Sequence, residues 1–163
     1  MSKKYEPLDI SGDVGLKAYG GAIDEVFINA AVGMYSLITN INLIEEKKSI
    51  DISVENSSIE NLFVSWLNEL IFHFDTYGFI GKKIVITETT PSLTLPSGKR
   101  GLDKRETNEL PGTQAYMLKA AISGEDFDTS RHESRLLIKA ATYHRLRIEK
   151  INDIYEAEVI FDI

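Results

Sequence analysis

Residues 49–78 read SIDISVENSSIENLFVSWLNELIFHFDTYG and hold both kinds of element that the chain uses. The first seven alternate. Ile50, Ile52 and Val54 interleave with Asp51, Ser53 and Glu55, the period-two pattern of a strand buried on one face. The period then changes. Ile59, Leu62, Phe63, Trp66, Leu67, Leu70, Ile71 and Phe74 recur at spacings of three and four, which predicts a helix over 58–75 with one wide apolar face. Ser57-Ser58-Ile59-Glu60 has the form of a capping box, with Ser57 as N-cap and Glu60 reaching back. Gly78 supplies a stop.

Working towards the N-terminus, Val14, Leu16 and Ala18 alternate with Gly15, Lys17 and Tyr19 and predict a strand that Gly20-Gly21 ends. Ile23, Val26, Phe27, Ala30, Ala31, Met34, Leu37 and Ile38 then predict a helix over 22–39, with Asp24 and Glu25 at the positive end of its dipole. In the other direction, KIVITE at 83–88 reads as a strand. Residues 90–112 hold Pro91, Pro96 and Pro111 and the charged run from Lys99 to Glu106. Such a segment buries too little apolar area to offset its ordering entropy, and it is expected to be an exposed, flexible loop. The remainder reads as strands near 114–123, 135–142, 143–150 and 154–161. The expected fold is α+β: one domain over 1–163, with two helices packed on an extensively antiparallel β-sheet.

Composition narrows the function. Acids outnumber bases 25 to 18, a net charge of −7, which argues against stable direct nucleic-acid binding and against an anionic membrane surface. The chain has no Cys, which removes thiolate catalysis, iron–sulfur clusters and Cys-zinc sites. No apolar leader follows Met1 and no stretch approaches the ~18 residues of a membrane span, so a cytoplasmic location is expected.

His73, His132 and His144 belong to no short metal-ligand pattern. His73 reads as a packing residue of the second helix, and His132 reads equally well as a surface residue. Asp126-Phe127-Asp128-Thr129-Ser130 opens like an EF-hand loop, but Arg131 and Leu137 occupy the positions that require Gly and Glu, so it reads as a turn with solvated acids. Gly20-Gly21 completes no phosphate-loop motif. At the other end, Asp162 and the α-carboxylate of Ile163 put two anionic oxygens side by side at the close of a strand pattern. Two readings stand: oxygen ligands for a hard divalent cation, or an ordinary exposed strand end.

Several ordered motifs resemble the archease family. Residues 5–20, YEPLDISGDVGLKAYG, are similar to its YEFLDHTADIGIRAYG opening, and Trp66-Leu67-Asn68-Glu69-Leu70 to its WLNEL. Gly124-Glu125, Phe127-Asp128 and Arg131-His132-Glu133 resemble its GE.FD..RHE, and Lys139 to His144 its KAVTYH. Val159 to Ile163 resembles its VVFDV terminus. The resemblance implies a small cytosolic accessory protein, not itself an enzyme, for an RtcB-type RNA ligase of tRNA splicing and RNA repair. It would promote guanylylation and multiple turnover of that ligase. It also implies a divalent cation, Ca²⁺ foremost and Mg²⁺ or Mn²⁺ as alternatives, at Asp13, Asp162 and Ile163, and a ligase-activating role for Lys139. The chain departs from the pattern at Ile10, where the family has histidine. Two other functions remain in view: a chaperone-like module for an RNA-modifying methyltransferase, and a metal-dependent hydrolase using the same carboxylates.

Overall fold

A computed structural model describes residues 3–95 and 115–163. In chain order the elements are β1 (Tyr5–Ile10), β2 (Asp13–Gly20), α1 (Ile23–Ile38), a 3₁₀ turn (Ile41–Leu43), β3 (Lys48–Asn56), α2 (Ile59–Tyr77), β4 (Phe79–Thr90), β5 (Tyr116–Asp126), β6 (Ala140–Ala141), β7 (Arg147–Ile151) and β8 (Ile154–Asp162). The α+β expectation holds, with the strands divided between two sheets. One has five strands in the order β1-β2-β8-β6, with β7 also paired to β8; the other has three in the order β3-β5-β4. Every pairing among the described residues is antiparallel.

The helices fill the space over these sheets. The face of α1 carrying Val26, Phe27, Ala30 and Met34 packs with Leu16 and Ala18 of β2, all excluded from solvent. Apolar positions of α2 pack towards β3, where Ile52 and Val54 are buried. Trp66 joins the two helices. Its ring is fully buried, its Nε1–H donates to the Phe27 carbonyl at 3.0 Å, and Phe63 meets Phe27 edge to face beside it. An indole buried this way keeps its one donor satisfied.

Four expectations are corrected. The α2 N-cap is Ser58, whose hydroxyl accepts the Asn61 N–H at 3.1 Å; Ser57 N–H is taken by the Asn56 side chain instead. The strand expected over 135–142 shrinks to Ala140–Ala141, because Arg135 and Leu136 donate their N–H groups to Ile38 and Leu37, carbonyls at the end of α1. These residues thus satisfy open helix-end acceptors rather than a ladder. β1 escaped the pattern reading, since Pro7 interrupts it; Pro is tolerated because, among the described residues, β1 pairs only with β2. At the start of the expected exposed loop, Leu93 is buried and Leu95 packs on the core. Residues 96–112 of that loop lie outside the described residues. Gly78 does end α2, with a left-handed φ of 70° that donates its N–H back to the last turn.

Candidate functional site

The β1–β2 turn and the last residues of β8 meet at one end of the five-stranded sheet. The β1–β2 hairpin pairs Ile10 with Asp13 across Ser11-Gly12, and Gly12 takes the φ of 81° that a side chain resists. β2 then runs antiparallel to β8 with Val14 opposite Phe161; continuing that register by one position sets Asp13 beside Asp162. Asp162 in turn pairs with Ala140 of β6. Ile10, Asp13, Asp162 and Ala140 therefore form one cross-strand row, and directly opposed residues share a face. Asp13 and Asp162 are both exposed, and Ile163 beyond them is half-exposed.

The next row inward is Leu8, Gly15 and Ile160. Leu8 Cβ and Ile10 Cδ1 stand 3.1 and 3.3 Å from where a Cβ on Gly15 would be, and Ile160 is buried outside the main core. The carboxylates thus stand at the rim of a small apolar platform.

Lys139 reaches this place through its main chain. Its N–H donates to the Asp162 carbonyl at 2.8 Å, and its side chain is exposed. Thr142 fixes the other end of the strip, with N–H and hydroxyl both donating to the Ile160 carbonyl. The outer edge of the strip is held from α2. The Ala141 N–H donates to Asn68 Oδ1 at 2.8 Å, and Asn68 Nδ2 donates to the Ala141 carbonyl at 3.2 Å. Asn68 stands inside the WLNEL motif, yet the sequence alone assigns it no task.

Carboxylate oxygens are the ligand type that a hard cation takes. Among the described residues, no Lys, Arg or His pairs with Asp13 or Asp162 and no hydrogen bond occupies either side chain, so their oxygens are open. Among the same residues, no three side chains of His, Cys, Asp or Glu group to hold a metal. At the Gly20-Gly21 turn the Gly21 N–H donates to Glu25 of its own helix and is not free for a phosphate.

Against known proteins, residues 5–163 match the model of the Archease protein family (MTH1598/TM1083). The chain belongs to the archease family. It is 30% identical over 163 residues to a protein archease of Methanosarcina acetivorans, covering 100% of this chain and 98% of that one. The Methanobacterium thermoautotrophicum protein 1598, solved in solution, is 26% identical with a TM-score of 0.70, covering 98% of each chain. A Thermotoga maritima protein described as an archease and possible chaperone shares the fold, with 18% identity, a TM-score of 0.55, and coverage of 97% of this chain and 96% of that one.

The archease motifs now have places. Ile10, at the histidine position of the family opening, faces Asp13 and leans over Gly15, so it lines the platform and cannot act as a ligand. The Glu125–His132 motif is a buried hub. This corrects the surface reading of His132, which is 4% exposed. Asp128 N–H donates to His132 Nδ1 at 2.9 Å, leaving Nε2 to carry the ring proton. That Nε2 stands 3.2 Å from Glu125 Oε1, off-line for a hydrogen bond. Glu125 also accepts the Glu45 N–H and pairs with Arg131 at 3.1 Å and Lys47 at 3.8 Å. Burial pushes the Glu125 carboxyl up, but the Glu45 hydrogen bond and the Arg131 and Lys47 charges outweigh it and hold the group below its ordinary range. Asp128 Oδ1 meanwhile accepts from the Ser130 N–H and hydroxyl, the closed turn expected there. A buried acid beside a His in a loop carries no sequence period, so only the motif itself pointed to this hub.

Proposed function

We propose that this archease is an accessory protein of an RtcB-type RNA ligase, acting on guanylylation and turnover through the tip formed by Asp13, Asp162, Ile163 and Lys139. The observation that carries the reading is the register that sets Asp13 beside Asp162, with Lys139 bonded to the Asp162 main chain. A divalent cation, Ca²⁺ foremost, would be held there by the Asp13 and Asp162 carboxylates, with main-chain oxygen of Ile163. When bound, it would supply positive charge with open coordination positions for a partner's oxygens. Asp13 and Asp162 orient those oxygens from two paired strands. Lys139 offers a compact ammonium for a phosphate of the nucleotide. Net charge −7 suits assistance to an RNA enzyme without a grip on the RNA itself.

The test is ligase guanylylation from labelled GTP with Asp13→Ala and Asp162→Ala. Both variants are expected to lose about tenfold or more of the stimulation while their thermal midpoints stay near that of the parent. Full stimulation by both would overturn the reading. Phosphoester turnover by the protein alone with Mn²⁺, lost in Asp13→Ala, would favour the hydrolase instead.

A further inference from the structure

Among the described residues, β6 is two residues long and pairs with β8 on one side only, so its other edge is open to solvent or to a substitute partner. Ala141 shows which. Its N–H and C=O are both engaged by the Asn68 amide, at 2.8 and 3.2 Å. We propose that Asn68 is the positioning residue of the tip: its side-chain amide stands in for a neighbouring strand and thereby holds Lys139 and the end of β8 in place. The inference rests on the reading of the tip given above.

The chemistry is selective. A carboxamide offers one donor and one acceptor side by side, matching the acceptor and donor of a single residue at a strand edge. Alanine offers neither. Aspartate keeps an acceptor for the Ala141 N–H but sets an oxygen against the Ala141 carbonyl. The amide is also held firmly from behind. Trp66, Leu67 and Leu70 around it on α2 are fully buried, and Trp66 is bonded to α1. From Asn68 the linkage is short. Ala141 lies two residues from Lys139, Lys139 N–H bonds the Asp162 carbonyl, and Asp162 stands beside Asp13. Asn68 touches none of these groups and acts through Ala141.

The whole chain, as Asn68→Ala and Asn68→Asp, is measured in the cognate ligase's guanylylation assay and by amide hydrogen exchange. In Asn68→Ala the Ala141 and Lys139 amides are expected to exchange about tenfold faster or more. Maximal stimulation of the ligase should fall about tenfold, with the half-saturating concentration unchanged, because the groups are misplaced rather than removed. Asn68→Asp should keep slow exchange at the Ala141 amide and still lose stimulation, which a purely structural anchor would not do; this variant decides the matter if Asn68→Ala fails to fold. Unchanged maximal stimulation in both variants would overturn the proposal. Absence of stimulation by the parent protein would mean that the ligase reading had failed. Exchange then decides on Asn68 by itself: faster Lys139 exchange in Asn68→Ala supports the positioning role, and unchanged Lys139 exchange overturns it.

Discussion

Two like charges opposed across strands are unfavourable by roughly 0.2–1 kcal/mol unless something stands between them. Asp13 and Asp162, one position beyond the last β2–β8 pair, are that case by continued register, and they give a prediction with a sign. In chelator, Asp13→Asn should melt slightly higher than the parent; with added Ca²⁺ the parent should rise and the variant should not. Equal responses to Ca²⁺ would remove the cation from the account. Glu125 gives a second prediction. Its folded-state carboxyl titrates below its ordinary value, so its stabilisation is complete above the unfolded value of roughly 4.3 and disappears as pH falls through the folded one. Glu125→Gln should therefore cost stability at pH 7, by about 1–3 kcal/mol for the broken charged hydrogen bond. The gap between variant and parent in denaturant titrations should narrow below pH 4. A gap independent of pH would show that Glu125 acts by packing alone.

The elements were legible where one physical period governs them. In α2 the three-and-four spacing, the Gly78 stop and the buried face follow from the sequence. Trp66 carries much of the element's load, joining α2 to α1 through the Phe27 carbonyl. Trp66→Ala should cost about 3–5 kcal/mol, read as a fall in the denaturant midpoint. Trp66→Phe should cost less, since it keeps most of the apolar contact but leaves that carbonyl unbonded. Legibility failed where main-chain groups found partners outside the period. Arg135 and Leu136 satisfy the end of α1, and Ala141 satisfies a side-chain amide, so the strand read over 135–142 survives only as β6. The candidate site divides likewise. Asp13, Asp162 and Lys139 were marked by family motifs, but register brings them together, and register depends on the Ser11-Gly12 hairpin and on Pro7 finding an edge. Asn68 and Glu125 lay inside matching motifs without a task, since Ala141 and Glu45, which they bond, are separated from them by tens of residues in sequence.

At the scale of the molecule, the surplus of acids is distributed unevenly in purpose. Several lie in ion pairs across the five-stranded sheet, such as Glu156 and Glu158 of β8 with Arg147 of β7, and Glu125 organises a buried hub. Asp13 and Asp162 hold no such partner among the described residues, and they stand where four strands end together. The α+β body thus presents two open carboxylates at this end of the five-stranded sheet. No helix among the described residues is long and apolar enough to cross a membrane. The central claim is tested most directly by one measurement: the yield of guanylylated histidine on a purified RtcB-type ligase from the same source, with GTP and metal, in the presence and absence of this archease. The account predicts a several-fold higher yield in its presence, lost when Asp13 and Asp162 are replaced together. Equal yields with and without the protein would contradict it.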